Sequence, residues 1–361
     1  LFSVALLLLS LVPAQTAGAW VARGDLSPIG QGPVVIDPPG TVYNDTIIVV
    51  GEGESALLTS LTVVGEAGST PAVNIIVDGT LTVSGIIQCT HANLTFRGGG
   101  SLIMQGAVMN VEGDGRLSVY SAGEWLASNT SINTYGGYTW LENNGTLAGE
   151  GLVLRDQYDG TYFDNNGFAR LEATSITASG AMGNFWIRNR GVLELHHCVL
   201  SANYGGTISI ESLFGSMLIN GSSLSASGWS HGKQSSIQIL DSDSTWVGSA
   251  LDGEGGSTAY ANHGESGFTN CTIAHQGNWN NGGSMNLTGC VIDGLSNWAN
   301  AGNLSMVSCN VSDVHNLSNQ GNVTLVSSLL ASSNTTANIA NSGRMSLTGS
   351  SFECCAGMNL L

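Results

Sequence analysis

Lysine is nearly missing: Lys233 is the only one in 361 residues, and lysine and arginine together number 9 against 26 aspartates and glutamates. A nucleic-acid partner is thereby excluded, because neutralising phosphates takes clustered cations. Charge of either sign is scarce at 10% of residues, and the formal net charge is −17. A negative surface of this kind suits solubility in saline water or the gathering of divalent cations. Helical periodicity is missing too: after Ala19 no stretch of about ten residues keeps it. The residues between apolar segments are too few for crossover helices, which excludes an α/β sheet. No CxxC pair and no histidines at ligand spacing occur, which argues against a zinc site. The apolar run Phe2 to Val12 is too short to span a bilayer, so no membrane segment is expected in the mature fragment.

What the chain has in abundance is repetition. Asn278-Trp279, Asn281 and Gly283 return as Asn297-Trp298, Asn300 and Gly302, then as Asn316-Leu317, Asn319 and Gly321. After a short insertion they return again as Asn338-Ile339, Asn341 and Gly343. A fixed period of about twenty residues marks a solenoid in which each repeat is one turn. Upstream, Gly79-Thr80-Leu81-Thr82-Val83 and Gly115-Arg116-Leu117-Ser118-Val119 show glycine followed by alternating apolar residues. Asn144-Gly145 and Asn166-Gly167 hint at the same asparagine corner with a longer turn, nearer twenty-two residues.

Alternation means strand, and glycine and asparagine accept the left-handed backbone of sharp corners. The expected fold is all-β, a right-handed parallel β-helix of roughly fourteen turns stacked at about 4.8 Å. Stacking puts like on like. Trp279, Trp298, Leu317 and Ile339 should form one interior column, and Asn281, Asn300, Asn319 and Asn341 an amide ladder. Residues 1–19 read as a secretory signal without its basic n-region, ending at Ala17-Gly18-Ala19. Residues 20–74 read as N-terminal cap strands and 75–361 as the β-helix, expected to stop inside a turn.

Seven cysteines are present: Cys89, Cys198, Cys271, Cys290, Cys309, Cys354 and Cys355. Cys271, Cys290 and Cys309 share one repeat position that Ser328 and Ser350 fill later, so a small buried side chain is what that place requires. Free, core-packed thiols are expected, with one stacked disulfide as the alternative.

The glycine-led strand, the asparagine corner and Phe268-Thr269-Asn270-Cys271-Thr272-Ile273 resemble the repeats of the pectate-lyase-like superfamily of right-handed parallel β-helices. That likeness, over about Ile75 to Leu361, implies the architecture. It spans polysaccharide lyases, glycoside hydrolases, tailspikes and non-catalytic adhesins, so the function must come from a site. The signature strings of polygalacturonase-like families are not matched: Asn133-Thr134 is followed by Tyr135, and Ser230-His231-Gly232-Lys233 lacks the expected neighbours.

An enzyme on this scaffold would need paired carboxylates, or Ca²⁺ held by carboxylates beside a basic residue. Asp156, Asp159 and Asp164 form one acidic cluster, Asp241 and Asp243 a second. Asp252 and Glu254, in a glycine-rich loop, have the composition of a weak Ca²⁺ site, and no other cofactor is implied. Trp125, Trp140, Trp229 and Trp246 are the candidates for exposed platforms on which sugar rings would stack. The expected function is a structural or adhesive role, secreted or at a cell surface, with a polysaccharide or surface ligand as partner. The rivals are a lyase or hydrolase on acidic polysaccharide and a non-catalytic carbohydrate-binding module. Sequons such as Asn270, Asn303 and Asn322 are acceptors for N-glycosylation where the machinery exists.

Overall fold

The computed structural model describes residues 34–36, 41–42, 46–65, 71–158, 160–180, 182–230, 233–254, 256–332, 337–354 and 358–360. The proposed signal segment and Asp159 lie outside the described residues. Among those described there is no helix, hence none long and apolar enough to cross a membrane. Stacked parallel strands build a β-solenoid of about 13 turns. One exception is antiparallel, a two-strand hairpin of Trp229–Ser230 and Lys233–Gln234. The strands Val34–Ile36 and Thr46–Val50, within the expected cap, already pair parallel with Ser55–Val64 and Ala72–Val77.

One turn shows why these residues form these elements. Tyr138–Asn143, Thr146–Glu150 and Val153–Asp156 are its three strands, and Gly160–Asn165, Phe168–Glu172 and Ser175–Ser179 repeat them. Pairing is in register: Leu141 meets Phe163, Leu147 meets Ala169, Leu154 meets Ile176. Successive side chains of a strand point to opposite faces, so every second residue enters the core. In the last third Trp279, Trp298, Leu317 and Ile339 stack as one buried column, and Met285, Leu304 and Val323 as another.

The three corners solve different problems. At the first corner the backbone ladder carries on, the Gly302 amide donating to the Asn281 carbonyl, and carboxamides add a second ladder inside it. Asn262, Asn281, Asn300, Asn319 and Asn341 hand Nδ2 to the next Oδ1 at 2.7–2.8 Å. Upstream the ladder residues are Asn143, Asn165 and Asn189, bonded at 2.8 Å. Asn144 and Asn166, one position later, stack outside in the solvent. The glycine column follows immediately. A Cβ on Gly302 would run into the carbonyl oxygen of Gly283, and one on Gly321 into that of Gly302.

At the second corner a residue of left-handed φ precedes a small buried donor. Ser222 Oγ donates to the carbonyls of Leu195 and Asn220 at 3.2 and 3.1 Å. Cys290 Sγ makes the same two bonds to Phe268 and Thr288 at 3.4 and 3.5 Å. The thiols at this corner therefore do a hydroxyl's work, and all five cysteines with described side chains are free. Burial pushes the remaining one, Cys89, up to about 11.

The third corner sets the period. Ladder residues are 22 and 24 apart where it carries a loop, as between Asn143, Asn165 and Asn189. They are 19 apart where Thr272–Asn281 runs through it as one continuous strand, bent at His275 with φ 52°. Between these turns the difference in length is thus taken up at one corner.

Candidate functional site: an aromatic face beside the looped corner

Loops at the third corner leave aromatic rings outside. On the adjoining strand face, Trp140, Tyr162 and Trp186 occupy one outward column in consecutive turns. Trp140 and Tyr162 stack with centroids 5.1 Å apart, Tyr162 and Trp186 with centroids 4.5 Å apart. Arg116 caps the Trp140 end, its guanidinium 6.0 Å from the ring centre, a cation–π distance. Gly160 belongs to this arrangement: any side chain there would strike the Trp186 ring. The column ends at Ser209.

Around the corner lies a cleft of about 580 Å³, within the range of small-molecule sites. Tyr135, Tyr158, Tyr204 and Arg155 line it with Gln157 and Asn203. Tyr204 is 68% exposed and Tyr158 55%. Tyr138, two residues before Trp140 on the same strand, is 49% exposed.

Next to the rings runs a column of charge: Glu142, Asp164, Arg188 and Glu211, one per turn. Arg188 lies 3.8 Å from Asp164 and 3.9 Å from Glu211. Partial burial raises the Asp164 carboxyl above its ordinary range, opposed by Arg188 and Arg190. Surface pairs at such distances contribute little stability.

The other suspected acids are not brought together with it. Asp156 is interior, level with Thr134 and Ala178, because its strand position is an inward one. Asp243 is exposed, and its amide donates to Asp241 Oδ1 at 3.0 Å. Asp241 itself stands in the amide ladder, between Ser212 and Asn262. It is fully buried, accepting hydrogen bonds from Ser244, from Tyr260 at 2.6 Å and from Ser266 at 3.0 Å. Asp156 and Asp241, expected as catalytic candidates in two separate acidic clusters, are thus corrected to buried scaffold positions.

A pH effect follows for Asp241. Desolvation outweighs its hydrogen bonds and raises its carboxyl pKa. The folded chain then holds that proton more tightly than the unfolded chain does. Its contribution to stability is greatest below the unfolded carboxylate value of about 3.9, falls as pH rises through the raised value, and is level above it. Asp241→Asn should remove that decline, so the gap between the two melting temperatures should move in the variant's favour as pH goes from acid to neutral. A constant gap across the titration would refute the assignment.

Two tryptophan expectations are also corrected. Trp125, level with Leu102 and Leu147, and Trp246, level with Ile219 and Phe268, are 0% and 1% exposed. Both occupy inward strand positions, where an indole fills the core instead of offering a platform. Trp140 is on the outer face, half-buried, and the side chain of Trp229 lies outside what is described. Asp252 accepts from the Glu254 amide at 3.0 Å and pairs with His275 at 2.9 Å, while Glu254 is exposed. These two gather no third ligand: no group of three His, Cys, Asp or Glu that could hold a metal occurs among the described residues.

Tyr135, Tyr158, Tyr162, Trp186 and Tyr204 are absent from the sequence-based candidates. Their signal was present, as aromatics clustered where the period lengthens, but assigning them to an outward column requires the register. The fold and this face define the class, a parallel β-solenoid with an aromatic strip along its looped edge. Comparison with protein-family models, curated proteins and solved structures returned no match.

Proposed function

We propose that this chain is a secreted or cell-surface β-helix with a structural and adhesive role, binding its partner without catalysis. The observation that carries this reading is that two clefts lack a described carboxylate. Among the described residues, neither the cleft at Tyr158 nor the smaller one at His275 and Gln276 has an acidic residue in its lining. Glycoside hydrolysis needs two carboxyl groups facing one substrate space, about 5–5.5 Å or 6.5–9.5 Å apart. Export is supported by the apolar leader-like run, and the strand and corner motifs support a place beside the pectate-lyase-like superfamily.

One observation favours the enzymatic rival: Asp164 and Glu211 flank Arg188 on a strand face, with Glu142 one turn beyond Asp164. A panel of neutral and acidic polysaccharides, incubated with and without Ca²⁺ and read for new reducing ends or unsaturated products, tests the choice. No product is expected from any of them. Turnover that disappears in Asp164→Asn would establish the rival.

A further inference from the structure

We propose that the cleft at the looped corner binds a neutral oligosaccharide, with sugar rings against Tyr158 and Tyr204 and hydroxyls on Arg155, Gln157 and Asn203. The inference rests on the adhesive reading above and names its partner.

The corner itself is the first ground. Ser179, Asn203 and Ser227 are level in successive turns, so the residues that follow them, Gly180, Tyr204 and Gly228, form a column. Tyr158 takes the corresponding place one turn earlier, two residues beyond the Asp156–Ala178 pair. Tyrosine and glycine therefore alternate along this edge. The two tyrosines are two turns apart, about 10 Å at the usual strand spacing, and the glycine between adds no bulk.

Tyr204 is costly where it stands. Its φ is 52°, a left-handed conformation that Gly180 and Gly228 also adopt at φ 83°. A bulky side chain gains nothing there from backbone preference, and with 68% of its surface exposed it gains little from burial. Nine other described non-glycine residues share this φ, so the conformation is a requirement of the corners, and what sets Tyr204 apart is so large a ring left exposed. An exposed phenol ring offers what the C–H face of a pyranose needs, an apolar plane with a polar tip.

Charge selects the class of sugar. The chain carries a net −17, and the Glu142–Asp164–Glu211 column lies on the neighbouring face. A polyuronate would meet this negative field, with Arg155 as the one cation among the described lining residues of the cleft. A neutral glycan meets no such opposition, and Gln157 and Asn203 both donate and accept, which suits hydroxyl groups.

The test uses the folded full chain and isothermal titration. Probes are neutral gluco-, manno- and galacto-oligosaccharides and oligogalacturonides of equal length. At least one neutral series should bind with little salt dependence, and Tyr158→Ala should weaken it about tenfold or more. Tyr204→Gly should weaken it similarly while its melting temperature stays or rises, since glycine is at ease at this φ. No neutral binding, binding confined to oligogalacturonides or to a peptide ligand, or unchanged affinity in both variants would overturn the proposal. Release of shortened sugars would instead sink the non-catalytic reading, so the two failures are distinct.

Discussion

Replacing Gly302 by alanine is expected to lower stability by about 3 kcal/mol or more, the range of severe overpacking. No left-handed φ is involved at this position. The requirement is contact: a Cβ on Gly302 would meet the carbonyl oxygen of Gly283, a backbone atom fixed by its own ladder. Gly321 and Gly343 repeat the relation in the turns that follow, so a shift at one turn is passed to its neighbours. Gly267 is the control, a glycine in the same region whose Cβ would meet nothing within 4 Å. Gly267→Ala should change the denaturant midpoint little. Equal losses in the two variants would show that the glycine column is not held by contact. In a solenoid each turn touches only its neighbours, so a local defect can also split the unfolding transition.

Asn300→Ala should cost about 2–4 kcal/mol, the sum of more than one orphaned buried polar group. Asn300 Nδ2 donates to Asn319 Oδ1 at 2.7 Å and to the Gly302 and Asn322 carbonyls at 3.1 and 3.2 Å. Its own Oδ1 accepts from Asn281 at 2.7 Å. Alanine leaves groups in the turns on either side without partners in a place water does not reach. Asn297, three residues away, bonds to Asn278 at 3.1 Å on the exposed face. There water replaces the lost amide, and Asn297→Ala should stay within about 0.5 kcal/mol. Comparable losses at both positions would remove the distinction between inner ladder and outer stack.

The last third of the chain was legible because three successive ladder steps, from Asn262 to Asn319, hold the period at 19. At a constant period equivalent residues coincide, and Trp279 over Trp298 or Asn281 over Asn300 followed directly. Where the corners carry loops, equivalent residues lie 22 and 24 apart between the ladder asparagines, 27 between Ile219 and Trp246 and 29 between Ser212 and Asp241, and the phase of in and out is lost. Trp125 and Trp246 were placed on the wrong side for that reason. Asp241 was misread differently: with no glycine following it in the usual place, nothing marked it as a ladder residue.

By itself the sequence determined the architecture and the jobs of its repeated columns: alternation specifies strands, a fixed period specifies stacking, and stacking forces small, amide and apolar residues into separate files. The tertiary structure alone decided which irregular residues share a surface. Tyr158 and Tyr204 are far apart in the chain and come together because parallel turns rise only about 4.8 Å each. The same rise took Asp241 out of contention, by delivering it to a ladder whose other members lie a turn or more away. Column membership is set by register, and register in the looped turns depends on corner lengths that local sequence does not encode.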